Sequence, residues 1–211
     1  MPVTLSIAGF RFRFDGPDVT GFIHAMPFFR PFLVQEQDAA ADFRVSEELD
    51  EDNVSRLKER FGKTDSYFDV AFEDVECSFY RDGDMIVFHM TEEHSGKELW
   101  ETWNIGDTTV RTSIVRATAT MYRYALWTAV NFLTCLHGCL AVHCSANVFD
   151  GRTVIFLGES GTGKSTHTRL LRERYPESFL LNDDSPFIRV MPDGRVMVFG
   201  SPWSGKTPCY K

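Results

Sequence analysis

The sequence predicts an α+β protein of 211 residues, with a β-rich N-terminal domain over residues 1–114 and an α/β core over residues 115–211. Three observations lead there. Apolar and polar side chains alternate with period two through much of the N-terminal part. Near Ala117 the period becomes helical, and the order that follows is strand, turn, strand, glycine-rich loop, helix, strand, strand. Charge divides in a similar place: residues 1–130 carry 13 basic and 23 acidic side chains, a net −10, while residues 131–211 carry 9 and 7, a net +2.

In the first part, Val3–Ile7 and Phe10–Phe14 read as strands, with Asp15-Gly16-Pro17 as a turn. Phe28, Phe29, Phe32 and Leu33, interrupted by Pro27 and Pro31, suit either a core under a loop or a docking surface, and the core is the commoner use. Glu47–Arg60 is charged and reads as a surface helix or loop. Tyr67–Phe72, Cys77–Tyr80 and Met85–Met90 suggest an antiparallel meander. Arg81-Asp82-Gly83-Asp84 supplies a hairpin turn, since Asp-Gly accepts positive φ at low cost.

In the second part, Met121, Ala125, Leu126, Ala129, Phe132, Leu133 and Leu136 share one face of a helix expected to end near Gly138. Ala125–Val142 is 18 residues without Asp, Glu, Lys or Arg, the lower limit for a membrane span. Asn131, His137 and Gly138 lie within it and a strand follows directly, so a buried helix is expected. Leu140–Val148 is then one strand, Asp150-Gly151 a turn and Thr153–Leu157 a second strand. A helix over Lys164–Arg174 precedes strands at Phe179–Leu181, Phe187–Val190 and Val196–Phe199.

The loop between the second strand and that helix is Gly158-Glu159-Ser160-Gly161-Thr162-Gly163-Lys164-Ser165, followed by Thr166, and it fits the phosphate-binding pattern G-x-x-x-x-G-K-[ST]. Glycines let backbone N–H groups converge on phosphates, and the helix directs its positive end toward them. Lys164 is expected to reach the β- and γ-phosphates and the Ser165 hydroxyl to bind Mg²⁺. The pattern recurs in Gly200-Ser-Pro-Trp-Ser-Gly-Lys-Thr207, where Pro208 excludes a following helix. Ser204, Gly205 and Lys206 are therefore read either as contacts for a substrate phosphate or carboxylate or as a plain turn. Asn182-Asp183-Asp184 closes an apolar run 18 residues past Ser165, and strand ends face the ligand crevice in α/β sheets. One of these carboxylates is expected at the metal and the other as a proton acceptor. His143, in an apolar strand, reads more readily as a satisfied core residue than as a functional one.

Together, His143-Cys-Ser, Gly158–Thr166, Asn182-Asp-Asp-Ser-Pro186 and Gly200–Tyr210 resemble the P-loop core of the HPr kinase/phosphorylase type and, more distantly, of ATP-dependent phosphoenolpyruvate carboxykinase. The likeness covers about residues 115–211 and is nearest to HPr-kinase-related bacterial proteins. It implies ATP and Mg²⁺ as cofactors, phosphate contacts from Lys164 and Ser165, a metal held by Ser165 and Asp184, Asp183 as base and His143 beside the transferred phosphate. It also implies an incomplete C-terminal domain and, by analogy, a homo-oligomer. The function expected is transfer of the γ-phosphoryl group of ATP to a hydroxyl of a protein, peptide or small molecule, with a serine acceptor in view. Three alternatives stand beside it: a nucleotide-binding regulatory module without turnover, a carboxykinase-like enzyme acting on a small acid, and an ordinary P-loop hydrolase. The Glu-Ile-Arg-Gly segment of HPr kinases is missing after the aspartates, which weakens HPr itself as acceptor.

A net charge of −8 argues against nucleic-acid or anionic-membrane partners. Five cysteines, an odd number without zinc-type spacing, read as reduced thiols. Met1–Ile7 lacks the basic and apolar segments of a secretory leader, so a cytoplasmic location is expected.

Overall fold

Period-two alternation at the N-terminus becomes strands Val3–Ile7 (β1) and Phe10–Asp15 (β2), whose inward side chains Leu5, Phe12 and Phe14 are fully buried. A computed structural model describes residues 1–35, 40–113, 117–205 and 209. Within them the chain is a mixed α/β, strand-rich molecule with two compact units. The first unit comprises Met1–Thr4, Arg11–Ala25 and Gln35–Leu133, and the second Leu5–Phe10, Met26–Val34 and Thr134–Lys211.

After the helix Pro17–Ala25 (α1) and a 3₁₀ turn at Pro27–Phe32, the chain continues through Phe43–Leu49 (β3), Glu51–Phe61 (α2), Phe68–Phe72 (β4), Val75–Asp82 (β5), Met85–Glu92 (β6), Glu98–Asn104 (β7), Thr109–Ser113 (β8) and Ala119–Cys135 (α3). The strands form one mixed sheet ordered β1-β2-β3-β8-β7-β6-β5-β4. β2, β3 and β8 are mutually parallel neighbours, and β8 to β4 run as the expected antiparallel meander. The charged stretch from Glu47 is strand before it is helix. Glu47 belongs to β3, and its carboxylate accepts from the N–H groups of Asp18 and Val19, closing the first turn of α1. Asp50 then caps α2 by accepting from the Asn53 N–H. Phe29 and Phe32 are buried, so the aromatic cluster is core.

In the first unit α3 covers one sheet face, where Trp103 stacks on Phe132 at 5.5 Å and Phe72 on Tyr124 at 4.4 Å. Leu49, Phe61, Val87 and Trp100 pack together elsewhere in this unit. Among the described residues no helix is long and apolar enough to cross a membrane.

The second unit continues with Cys139–Ala141 (β9), Cys144–Phe149 (β10), Arg152–Leu157 (β11), Lys164–Arg174 (α4), Phe179–Asp184 (β12), Phe187–Val190 (β13) and Val196–Phe199 (β14). They make two small sheets, β11-β10-β12 and β14-β13-β9, antiparallel throughout. The single strand expected over Leu140–Val148 is thus two strands in two sheets. Its pairing keeps one register across the gap, with Ala141 opposite Phe187 on one side and Cys144 opposite Asp184 on the other. In the gap Val142 donates to the Pro186 carbonyl, and proline has no N–H to return, so the ladder opens there. The turn between β10 and β11 is Asp150-Gly151, with φ of 49° and 67°, the positive pair that a two-residue hairpin requires.

Glu101 is the anomaly of the first unit. It shares a sheet face with Leu99 and Trp103, lies opposite Phe88 and Thr112, is 1% exposed, and among the described residues neither carboxylate oxygen has a hydrogen-bond partner. Burial without compensation pushes its pKa well above the ordinary 4.5. The folded chain therefore keeps a proton that the unfolded chain releases above pH 4.5, and stability falls as pH rises from there toward the raised folded value. Glu101→Gln should flatten the dependence of thermal midpoint on pH between about 4 and 8 and raise the midpoint at the alkaline end. An unchanged slope would rule out Glu101 as its source.

Candidate functional site

The registers of β10 explain how distant segments meet. Leu157, the last residue of β11, and Asp184, the last of β12, both lie opposite Cys144 at the start of β10. The glycine-rich loop leaving β11 and the paired aspartates ending β12 therefore emerge at the same end of one small sheet, with β10 between them rather than as direct neighbours. His143, immediately before β10, stands at the opening beside Pro186, and its side chain is 56% exposed instead of sitting in a strand.

The loop itself is held by local bonds. Thr162 Oγ1 donates to the Glu159 carbonyl at 2.8 Å, and Gly163 stands before α4 with φ of 93°, a left-handed setting that favours glycine. Lys164 Nζ donates to the carbonyls of Gly158 and Glu159 at 2.8 and 2.9 Å. Because α4 opens on Lys164, its first-turn N–H groups have no carbonyl to bond within the helix.

Beneath α4 is a polar layer that the sequence reading did not single out. Ser145 Oγ donates to Thr168 Oγ1, Asn147 Nδ2 donates to the Thr168 carbonyl at 2.9 Å, and Thr168 Oγ1 donates to the Ser165 carbonyl at 3.0 Å. All three side chains are fully buried. Their signal was present as two polar residues, two apart, inside an apolar strand, which places both on one face.

Adjacent strand residues point to opposite faces, and the two carboxylates divide accordingly. Asp183, on the Ser145 side, accepts from Ser165 Oγ at 3.0 Å, while Asp184 Oδ1 lies 3.2 Å from His143 Nδ1. Both reach one cavity of about 380 Å³ because they end the strand, and its lining also includes His143, Cys144, Ser160, Lys164 and Gly205. Cys144 is fully buried, and desolvation pushes its thiol to about 11, with Lys164 lowering and Asp184 raising that value. Of the second glycine pattern, Ser204 and Gly205 are brought to the aspartates: Ser204 bridges Asp184, and Gly205 N–H donates to the Asp183 carbonyl at 2.7 Å. Lys206 lies outside the described residues. His137 and His167 lie elsewhere, edge-on to Phe10 and stacked on Phe156.

The donor set is oxygen-rich, with one hydroxyl and two carboxylates converging, which suits a hard divalent cation such as Mg²⁺ that takes few protein ligands. Among the described residues no group of three or more His, Cys, Asp or Glu forms a metal cluster. Close approach also explains one glycine. A Cβ on Gly205 would meet the Asp183 carbonyl oxygen at 2.6 Å. Gly205→Ala should lower stability by about 1–3 kcal/mol, measured by denaturant unfolding. A neutral result would mean that the strand end yields freely.

A family model described as phosphoenolpyruvate carboxykinase matches residues 90–191, a range that includes His143, the glycine-rich loop and both aspartates but stops before Ser204. The chain is also similar to the phosphoenolpyruvate carboxykinase (ATP) of Caldanaerobacter subterraneus subsp. tengcongensis, 44% identical over 61 residues. That match covers 28% of this chain and 11% of the relative, so the chain resembles a small part of that enzyme.

Proposed function

We propose that this cavity binds Mg-ATP through a P-loop and takes part in phosphoryl transfer of the carboxykinase type, to a small acid. The observation that carries the reading is the convergence of Lys164, Ser165, Asp183, Asp184 and His143, drawn from three separate segments, on one cavity at a strand end. The partial likeness to carboxykinases supports a small acid over a serine of a protein.

In this reading, backbone N–H groups at the start of α4 and the Lys164 ammonium receive the phosphate oxygens, leaving the loop carbonyls that Lys164 holds. Ser165 and Asp184 would hold the cation, and His143, 3.2 Å from Asp184 Oδ1, orients that carboxylate. A bound Mg²⁺ would supply neutralisation of the charge that builds on the β- and γ-phosphates. Asp183 fixes the Ser165 hydroxyl. A hydroxyl acceptor would further require Asp183 to take a proton, whereas the enolate oxygen of a small acid carries none to remove.

Isothermal titration of the purified chain with Mg-ATP tests the proposal. Binding should weaken at least about tenfold, ~1.4 kcal/mol, in Lys164→Ala. Equal affinity in the variant, or none in the wild type, defeats it. Phosphoenolpyruvate added to the Mg-ADP complex should bind as a second ligand if a small acid is the acceptor. Its failure to bind while Mg-ATP does would favour the nucleotide-binding module without turnover.

A further inference from the structure

The described part of the second glycine pattern, Gly200–Gly205, forms a strap beside the end of β12. β12 is an outer strand of its sheet, and Ser204 and Gly205 pair with its end on the side away from β10. The ties are the Asp184–Ser204 bridge, the Gly205 N–H to Asp183 carbonyl bond at 2.7 Å, and Cys209 Sγ donating to the Leu180 carbonyl at 2.9 Å. At the head of the strap, Asn182 and Ser201 are both fully buried. Asn182 Nδ2 donates to the Ser201 carbonyl and Oγ at 3.2 and 3.3 Å, while its Oδ1 accepts from the Ser185 N–H at 3.0 Å. Ser201 Oγ donates to the Ser185 carbonyl at 2.6 Å and accepts from the Trp203 N–H at 3.2 Å. Trp203 is 3% exposed and packs on Phe29 and Phe187.

This node sits where the ladder is weakest. β12 pairs with β10 through Asn182 opposite Ala146 and then Leu180 opposite Asn147, so Leu181 is an extra, bulged residue directly before Asn182. A bulge increases local twist and re-aims the side chains after it. Beyond Asp184 the ladder opens at Pro186. Asn182 to Asp184 is thus a short paired stretch with an irregularity at each end, and its rotation about the strand axis decides whether Asp183 meets Ser165 and Asp184 meets His143.

Resting on the proposed Mg-ATP reading, we propose that Asn182 and Ser201 are positioning residues of the site: their buried hydrogen-bonded node sets the rotation of β12 after its bulge, and through it the aim of both carboxylates. They touch no phosphate and act only through Asp183 and Asp184.

The test is ATP affinity measured with Mg²⁺ and with EDTA on the full 211-residue chain, in the wild type, in Ser201→Ala and in Ser201→Cys. The last keeps the bulk of the side chain and replaces the hydroxyl with a weak donor. A positioning role gives Mg-free affinity within twofold of wild type in both variants, with the Mg²⁺ enhancement cut at least fivefold in Ser201→Ala and by an intermediate amount in Ser201→Cys. A Mg²⁺ enhancement equal to wild type in either folded variant, even with a lowered thermal midpoint, overturns the inference and leaves the node merely structural. A wild type that binds no Mg-ATP overturns the parent reading and the inference with it, whereas normal wild-type binding with unaffected variants removes the inference alone.

Discussion

Pro186 faces Val142 across an antiparallel pair and has no N–H to give, and much of the second unit follows from that one missing bond. Were that bond present, the two chain segments Cys139–Ala146 and Asn182–Arg189 would form a single ladder in one register. The opening divides them into two sheets and ends β12 at Asp184. It also frees His143 from a strand to stand at the mouth of the cavity. Strand ends are where side chains from both faces of a sheet can reach the same volume, so Asp183 and Asp184 share one cavity although their directions alternate.

Orientation of the helix is settled by polar contacts more than by apolar ones. α4 buries Thr168 over Ser145 and Asn147, and each of these groups has a defined partner. A buried polar group without its partner costs about 1–3 kcal/mol, so such a layer admits one rotation of the helix and penalises others. Through the Thr168 to Ser165 bond the same layer reaches the first turn of α4, where the glycine-rich loop delivers Lys164. The cavity is thus bounded by rigid elements on two sides, β10 with α4 on one and β12 with its strap on the other.

Charge is used differently in the two units. The acidic excess of the N-terminal part is mostly on its surface, but Glu101 is placed inside, where among the described residues it has no hydrogen-bond partner. In the second unit Asp183 and Asp184 sit beside a lysine and a histidine around a common cavity. An overall net charge of −8 conceals both arrangements.

Local chemistry carried a large share of the outcome. The helix over Lys164–Arg174, the Asp150-Gly151 hairpin, the strands Phe187–Val190 and Val196–Phe199 and the meander around Gly83 were all legible, because each depends on propensity, periodicity and turn residues within a few positions. So was the list of residues now found around the cavity: the glycine-rich loop, His143, both aspartates and Gly205. Other features were decided only by the fold. Glu47 read as part of a charged surface helix or loop because its partners, the N–H groups of α1, are 28 and 29 residues away. The break at Val142 was invisible because its cause, Pro186, is 44 residues distant in the chain and acts across a strand pair. The segment at Ser201 matched a phosphate-loop pattern, and its hydrogen bonds to Asn182 and Ser185, 19 and 16 residues away, could be seen only in the fold. The sequence by itself determined which side chains could bind phosphate and cation, since that is a property of residue type and short spacing. The tertiary structure decided which of them meet and in what direction they point, since register, bulge and strand end are properties of pairs of segments.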